Sequence, residues 1–126
     1  MINRTLLVGR LTKDPELRRT AQGTAVTSFN LAVDRIKADS SGQDADFIPV
    51  VCWNKLAENV AQYTVKGSLV GVDGRLRSRS YDDKNGRRVY VVEVLADTVQ
   101  FLDNRKKEQD APKNDYYTND YYNPPF

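Results

Sequence analysis

The sequence predicts an all-β domain: five strands closed into a small barrel, with one short helix between strands three and four. Three observations predict it. Apolar and polar residues alternate at the period of a pleated strand, most clearly from Thr24 to Asp34. Only one stretch, around Leu56, Val60 and Tyr63, recurs at helical spacing. Asn85-Gly86 falls between two long strand-like segments, which is a strong hairpin signal.

The elements follow in order. Arg4 to Leu11 alternates imperfectly and runs into the turn-rich Thr12-Lys13-Asp14-Pro15, so it is the first strand. In the second, Thr24 to Asp34, residues Ala25, Thr27, Phe29, Leu31 and Val33 share one face, with Ser28, Asn30 and Asp34 opposite. Residues 35–46 are a polar loop with Ser40-Ser41-Gly42 at its tip. Phe47 to Trp53, rich in β-formers, is the third strand, and Pro49 requires its backbone to be free on one side or bulged. Asn54 reads as the helix N-cap and Gly67 as its stop, so the helix spans roughly 55–66. Ser68 to Tyr81 and Arg87 to Leu102 are strands four and five, joined by the Asp83-Lys84-Asn85-Gly86 turn.

Five such strands laid flat would leave open edges, and closure removes them. Gly9, Gly71 and Gly74 lie within strands where a barrel must bend. Five strands with a helix between the third and fourth is the OB-fold arrangement. An open α+β sheet packed on the helix is the alternative. The pattern ends after Leu102, so the expected domain is 1–104, followed by a flexible interaction tail, 105–126, of low complexity and disordered on its own.

Composition narrows the function. The chain has 126 residues, enough for one domain with an appendage. It holds no histidine, which removes His-dependent triads and His-ligated metals. One cysteine, Cys52, cannot form an internal disulfide and is expected to be buried and inert. No apolar run approaches the ~20 residues that span a bilayer. Met1-Ile2-Asn3-Arg4 carries no secretory pattern, so cytoplasmic residence is expected. No cofactor is expected. The net charge of +2 hides a gradient: residues 1–107 hold 18 basic and 13 acidic side chains, and residues 108–126 one basic and four acidic. A basic body with an acidic tail fits a polyanion-binding domain carrying a separate interaction segment.

Two strands carry the candidate site. On the fourth, Val70, Val72, Gly74 and Leu76 point one way, so Arg75, Arg77, Arg79 and Tyr81 line the other face. Three guanidiniums at period two span ~13 Å, and each can fork onto a phosphate. On the third strand both faces are apolar: Phe47, Pro49, Val51 and Trp53 against Ile48, Val50 and Cys52. A small barrel has only one inside. If Ile48, Val50 and Cys52 fill it, Phe47 and Trp53 are left outside, where bases can stack on them at roughly 1–3 kcal/mol each. Trp53 packed beneath the helix is the plainer alternative. Arg35 and Lys37 on the long loop, Lys55 beside Trp53, and Lys84 and Arg87 at the hairpin extend the basic set, with Arg18, Arg19 and Arg88 as weaker candidates. Asp44 with Asp46, and Asp82 with Asp83, are expected to be solvated rather than to hold Mg²⁺.

These residues also fall into a familiar order. Leu6-Leu7-Val8-Gly9-Arg10-Leu11, Asp14-Pro15-Glu16-Leu17-Arg18, Phe29-Asn30-Leu31-Ala32-Val33, Trp53-Asn54-Lys55-Leu56-Ala57-Glu58, Lys66-Gly67-Ser68 and the run Val72 to Tyr81 together resemble bacterial single-stranded DNA-binding proteins. The resemblance covers residues 1 to about 103. It implies an OB-fold, usually in a homotetramer, that coats single-stranded DNA in replication, recombination, repair or DNA uptake. The family's aromatic platforms fall on Phe47, Trp53 and Tyr81. A further platform of the family falls on Arg35-Ile36-Lys37, where this chain has no aromatic. The family's tail ends in acidic residues and Pro-Phe that dock on replication, recombination or repair proteins. Here Pro124, Pro125 and Phe126 keep the tip without the acidic cluster. Three function classes remain: a non-enzymatic single-strand binder with no catalytic or metal residues, a primosome-type adaptor that mainly binds proteins, and a metal-dependent nuclease using Asp44 or Asp82.

Overall fold

The computed structural model describes residues 1–37 and 42–103. The expected tail, 105–126, and the loop-tip residues Ser40 and Ser41 lie outside the described residues. The elements are β1 (Thr5–Leu11), β2 (Glu16–Arg19), β3 (Ala25–Asp34), β4 (Ala45–Trp53), α1 (Asn54–Tyr63), β5 (Leu69–Asp82) and β6 (Arg88–Phe101). Their ladder order is β1-β5-β6-β4-β3-β2, with β1 also pairing β3. That extra pairing, Arg10↔Ala32 and Leu11↔Leu31, closes five strands into a ring. The other closing seam is the short parallel pairing of β4 and β6 at Val50↔Val94 and Val51↔Leu95. Beyond it the β6-facing side of Pro49 has no ladder partner, where its missing N–H costs nothing. The open α+β sheet is set aside.

β2 is the strand that periodicity did not reveal. All four of its side chains are exposed, so it has no buried face to impose alternation. Its backbone pairs β3 from Glu16↔Ser28 to Arg19↔Ala25, outside the ring. The helix therefore follows the third barrel strand, as expected, but the fourth strand of the chain.

Two glycines fix the barrel's bends. A Cβ on Gly9 would run into the backbone oxygen of Ala32, where β1 leaves β5 for β3. A Cβ on Gly74 would strike the Leu95 backbone, at the register shift between β5 and β6. Gly71 has room for a side chain, so the barrel does not require glycine there.

The core is formed by Leu31, Val50, Cys52, Val70 and Val94 from the strands, capped by Ala57 and Val60 of α1. Complete burial of each Val or Leu contributes about 1.5–3 kcal/mol. The helix is anchored by Thr27, whose buried hydroxyl donates to the Ala57 carbonyl at 3.2 Å. Its ends differ from expectation. Asn54 is the first helical residue, at φ +61°, and makes no side-chain cap; the left-handed conformation, which Asn tolerates, turns the chain out of β4. The helix stops at Tyr63: Thr64 is extended, at φ −125°, and its N–H and hydroxyl both donate to the Val60 carbonyl, at 3.2 and 2.6 Å. Gly67, at φ +90°, serves the turn into β5 instead.

The β5–β6 hairpin outruns the barrel. Leu76 shares a face with Val70 and Val72, yet it is 48% exposed because no sheet lies beneath it. Among the described residues, no helix is long and apolar enough to cross a membrane.

Candidate nucleic-acid interface

β4 resolves its two apolar faces as its alternation requires. Val50 and Cys52 are fully buried, and Ile48 packs against the same core. Phe47 is 60% exposed on the other face, and Pro49 and Trp53 are half-buried. Trp53 is thus neither sealed under the helix nor fully open. Val51, between them, is buried.

Cross-strand registers extend this outer face. β3 places Ala32 opposite Phe47, Asn30 opposite Pro49, Ser28 opposite Val51 and Val26 opposite Trp53. β2 adds Glu16 beside Ser28 and Arg18 beside Val26. Across the parallel seam, Leu95 stands by Val51, so Glu93 stands by Pro49. β5 then sets Arg77 opposite Glu93, Arg79 opposite Val91 and Tyr81 opposite Val89. Directly opposite residues share a face. The aromatic strand and the arginine strand therefore contribute to one surface. A groove of about 360 Å³ crosses it, with Arg18, Asn30, Pro49, Val51, Arg79 and Glu93 among its walls.

The arginines do not form an unpaired row. Arg75 turns to Asp97 at 3.6 Å, and Asp97 also accepts Arg4 at 2.9 Å. Arg77 donates through Nε and Nη2 to Glu93 Oε2, at 3.1 and 2.5 Å. Arg79 Nε reaches both oxygens of the same carboxylate, at 3.3 and 3.2 Å. One acid is shared by two bases, so this cluster keeps one net positive charge. Glu93 is only 2% exposed. Burial acts to raise its pKa, but the hydrogen bonds from Arg77 and Arg79 outweigh it and hold the carboxyl below its ordinary value. Arg79 also carries its guanidinium carbon 5.8 Å from the Tyr81 ring centroid, within cation–π reach. Tyr81 is 47% exposed.

The remaining candidates are distributed. Arg35 forks onto Asp46 Oδ1 at 3.0 and 2.8 Å, at the base of the long loop. Lys55 lies 3.9 Å from Glu58 on the helix. Lys37, Lys84 and Arg87 are exposed. Lys84 and Arg87 ride a turn that Asp83 fastens by accepting the Asn85 and Arg87 N–H groups, both at 2.9 Å. Arg88 pairs with Asp82 at 3.0 Å. Asp46, Asp82 and Asp83 are thus engaged within the fold. Among the described residues, no three His, Cys, Asp or Glu groups come together as a metal site. Burial pushes the Cys52 thiol up to about 12. Pro124, Pro125 and Phe126 lie outside the described residues. Sequence reasoning missed Glu93, although the signal was present: it is the only charged residue from Val89 to Leu95, and such a residue in an apolar strand needs a partner.

The chain is similar to known proteins over most of its length. The model of the single-strand binding protein family matches residues 2–102. A protein named single-stranded DNA-binding protein from Halalkalibacterium halodurans is 56% identical over 115 residues, covering 90% of this chain and 68% of the relative. One of the same name from Bacillus cereus is 60% identical over 106 residues, covering 83% and 62%. Single-stranded DNA-binding protein 2 of Staphylococcus aureus is 62% identical over 104 residues, covering 82% and 75%. The chain thus spans roughly two thirds of the length of these relatives.

Proposed function

The chain belongs to the single-strand binding protein family, and on that footing we propose that it binds single-stranded DNA with little regard to sequence. The observation that carries this reading is the shared outer face, where Phe47 is uncovered and Trp53 half-covered on β4, while Arg77, Arg79 and Tyr81 lie on the same face of β5 and Arg79 joins Pro49 and Val51 in the groove wall. Bases stack on Phe47, Trp53 and Tyr81. Every base has a π face, so the platforms accept any sequence, and a duplex hides those faces. Phosphates take the surplus positive charge of Arg75, Arg77 and Arg79, with Arg35, Lys37, Lys55, Lys84 and Arg87 tracking the backbone outward. The protein acts by occupancy, not by covalent chemistry: a bound strand cannot fold on itself or enter a nuclease.

Several further parts belong to the same proposal. The unit that binds is 1–104, and 105–126 is an interaction tail whose Pro124-Pro125-Phe126 tip recruits replication, recombination or repair proteins. The protein works in the cytoplasm. It assembles as a homotetramer, a reading supported by β1, where Leu6 and Val8 are exposed beside an open hollow shared with Gly71 and Gln100.

The test is competition. Labelled oligo-dT bound to the protein should be displaced by unlabelled single strands of any sequence, and far less by the same sequence as duplex. Equal displacement by duplex contradicts base stacking as the source of affinity.

A further inference from the structure

We infer that Glu93 is a positioning residue for the Tyr81 platform, acting through Arg79. This deepens the proposed function and rests on it. Glu93 borders the groove, yet it is only 2% exposed and its carboxylate is occupied by Arg77 and Arg79. Its role lies in what it holds. Arg79 uses only its Nε on Glu93, which leaves both terminal nitrogens outside that bond. Its guanidinium is thereby fixed beside the Tyr81 ring. The hairpin that bears Tyr81 has no barrel beneath it, and Leu76, Tyr90 and Val92 on its far face are exposed. The ladder to β6 orders the backbone there, and side-chain tethers on the near face set how the side chains are held. The chain of contacts runs Glu93 to Arg79 to Tyr81, from the part of β6 that still borders the barrel core to the protruding end of β5.

Simple electrostatics predicts the opposite of this inference, which makes the test sharp. Glu93→Gln removes a negative charge from a DNA-binding face. If Glu93 only tempered the local charge, the variant would bind oligo-dT more tightly, with a steeper salt dependence. If Glu93 positions Arg79 and Tyr81, the variant binds about five- to tenfold more weakly, the lower part of what one stacking platform contributes. The same substitution in a Tyr81→Ala background should then cost nothing more.

Arg77 and Arg79 are partly exposed and can take water in place of the carboxylate, so the variant is expected to fold; its circular-dichroism melt checks this. Glu93→Asp is the second variant. It keeps the charge, but its shorter arm cannot reach both arginines, and an intermediate loss is expected. Equal or tighter binding by either folded variant overturns the inference and leaves the proposed function standing, as does full additivity with Tyr81→Ala. Failure of the unaltered protein to bind oligo-dT overturns both.

Discussion

Phe47 stands directly across the β3–β4 ladder from Ala32. A methyl group cannot cover a phenyl ring, and the ring is left 60% exposed. That pairing explains why an aromatic residue in a regular strand of the barrel can be available to a ligand. It also predicts a clean separation of effects. Phe47→Ala should weaken oligo-dT binding by about 1–3 kcal/mol, while its denaturant midpoint stays close to that of the unaltered protein. A large loss of stability would make Phe47 a packing residue.

Trp53 should behave differently. It is half-buried and opposite Val26, so part of its indole packs and part stays open. Trp53→Ala is expected to lose about 1–3 kcal/mol of binding together with a measurable drop in melting temperature. Unchanged affinity at reduced stability would assign the ring to the fold alone.

Most of the barrel was legible in the sequence because its strands bury one face each. Alternation located β3 and, less cleanly, β1; a run of β-formers located β4; and Asn85-Gly86 located the β5–β6 turn. The glycines at 9 and 74 marked real bends, since backbone closes in on both. β2 was illegible for the same reason in reverse: a strand with no buried side chain has no pattern. The aromatic positions were legible because β4 is apolar on both faces and only one face can be inside. The pairing of the arginines was not. Alternation places Arg77 and Arg79 on a face, but only the β5–β6 register brings Glu93 between them.

That pairing sets a pH dependence. The Glu93 carboxyl is held below its ordinary value of 4.5 in the fold. A group whose folded pKa is depressed adds stability above its unfolded pKa, and that stability is lost as pH falls through the folded value. Urea stability should therefore include a Glu93 contribution that is whole at neutral pH and declines below about 4.5. Glu93→Gln should flatten the acid limb of the curve. An acid limb identical in both proteins would show that the ion cluster does not persist in solution.

Cys52 gives an independent check on the core. It is fully buried, and burial pushes its thiol up to about 12. The thiolate is the reactive form. An aromatic disulfide reagent at mildly alkaline pH should leave the native protein unmodified and label the unfolded chain fully. Rapid labelling of the native protein would mean that the interior of β4 opens to solvent.

The most direct measurement uses the chain's one tryptophan. Trp53 fluorescence is titrated with poly-dT at several salt concentrations. Strong quenching is expected, with an apparent affinity that falls as salt rises, at a log–log slope near −0.7 for each phosphate neutralised. Binding seen by anisotropy without any change in Trp53 emission would contradict the central claim, because the strand would then be held somewhere other than the outer face of β4.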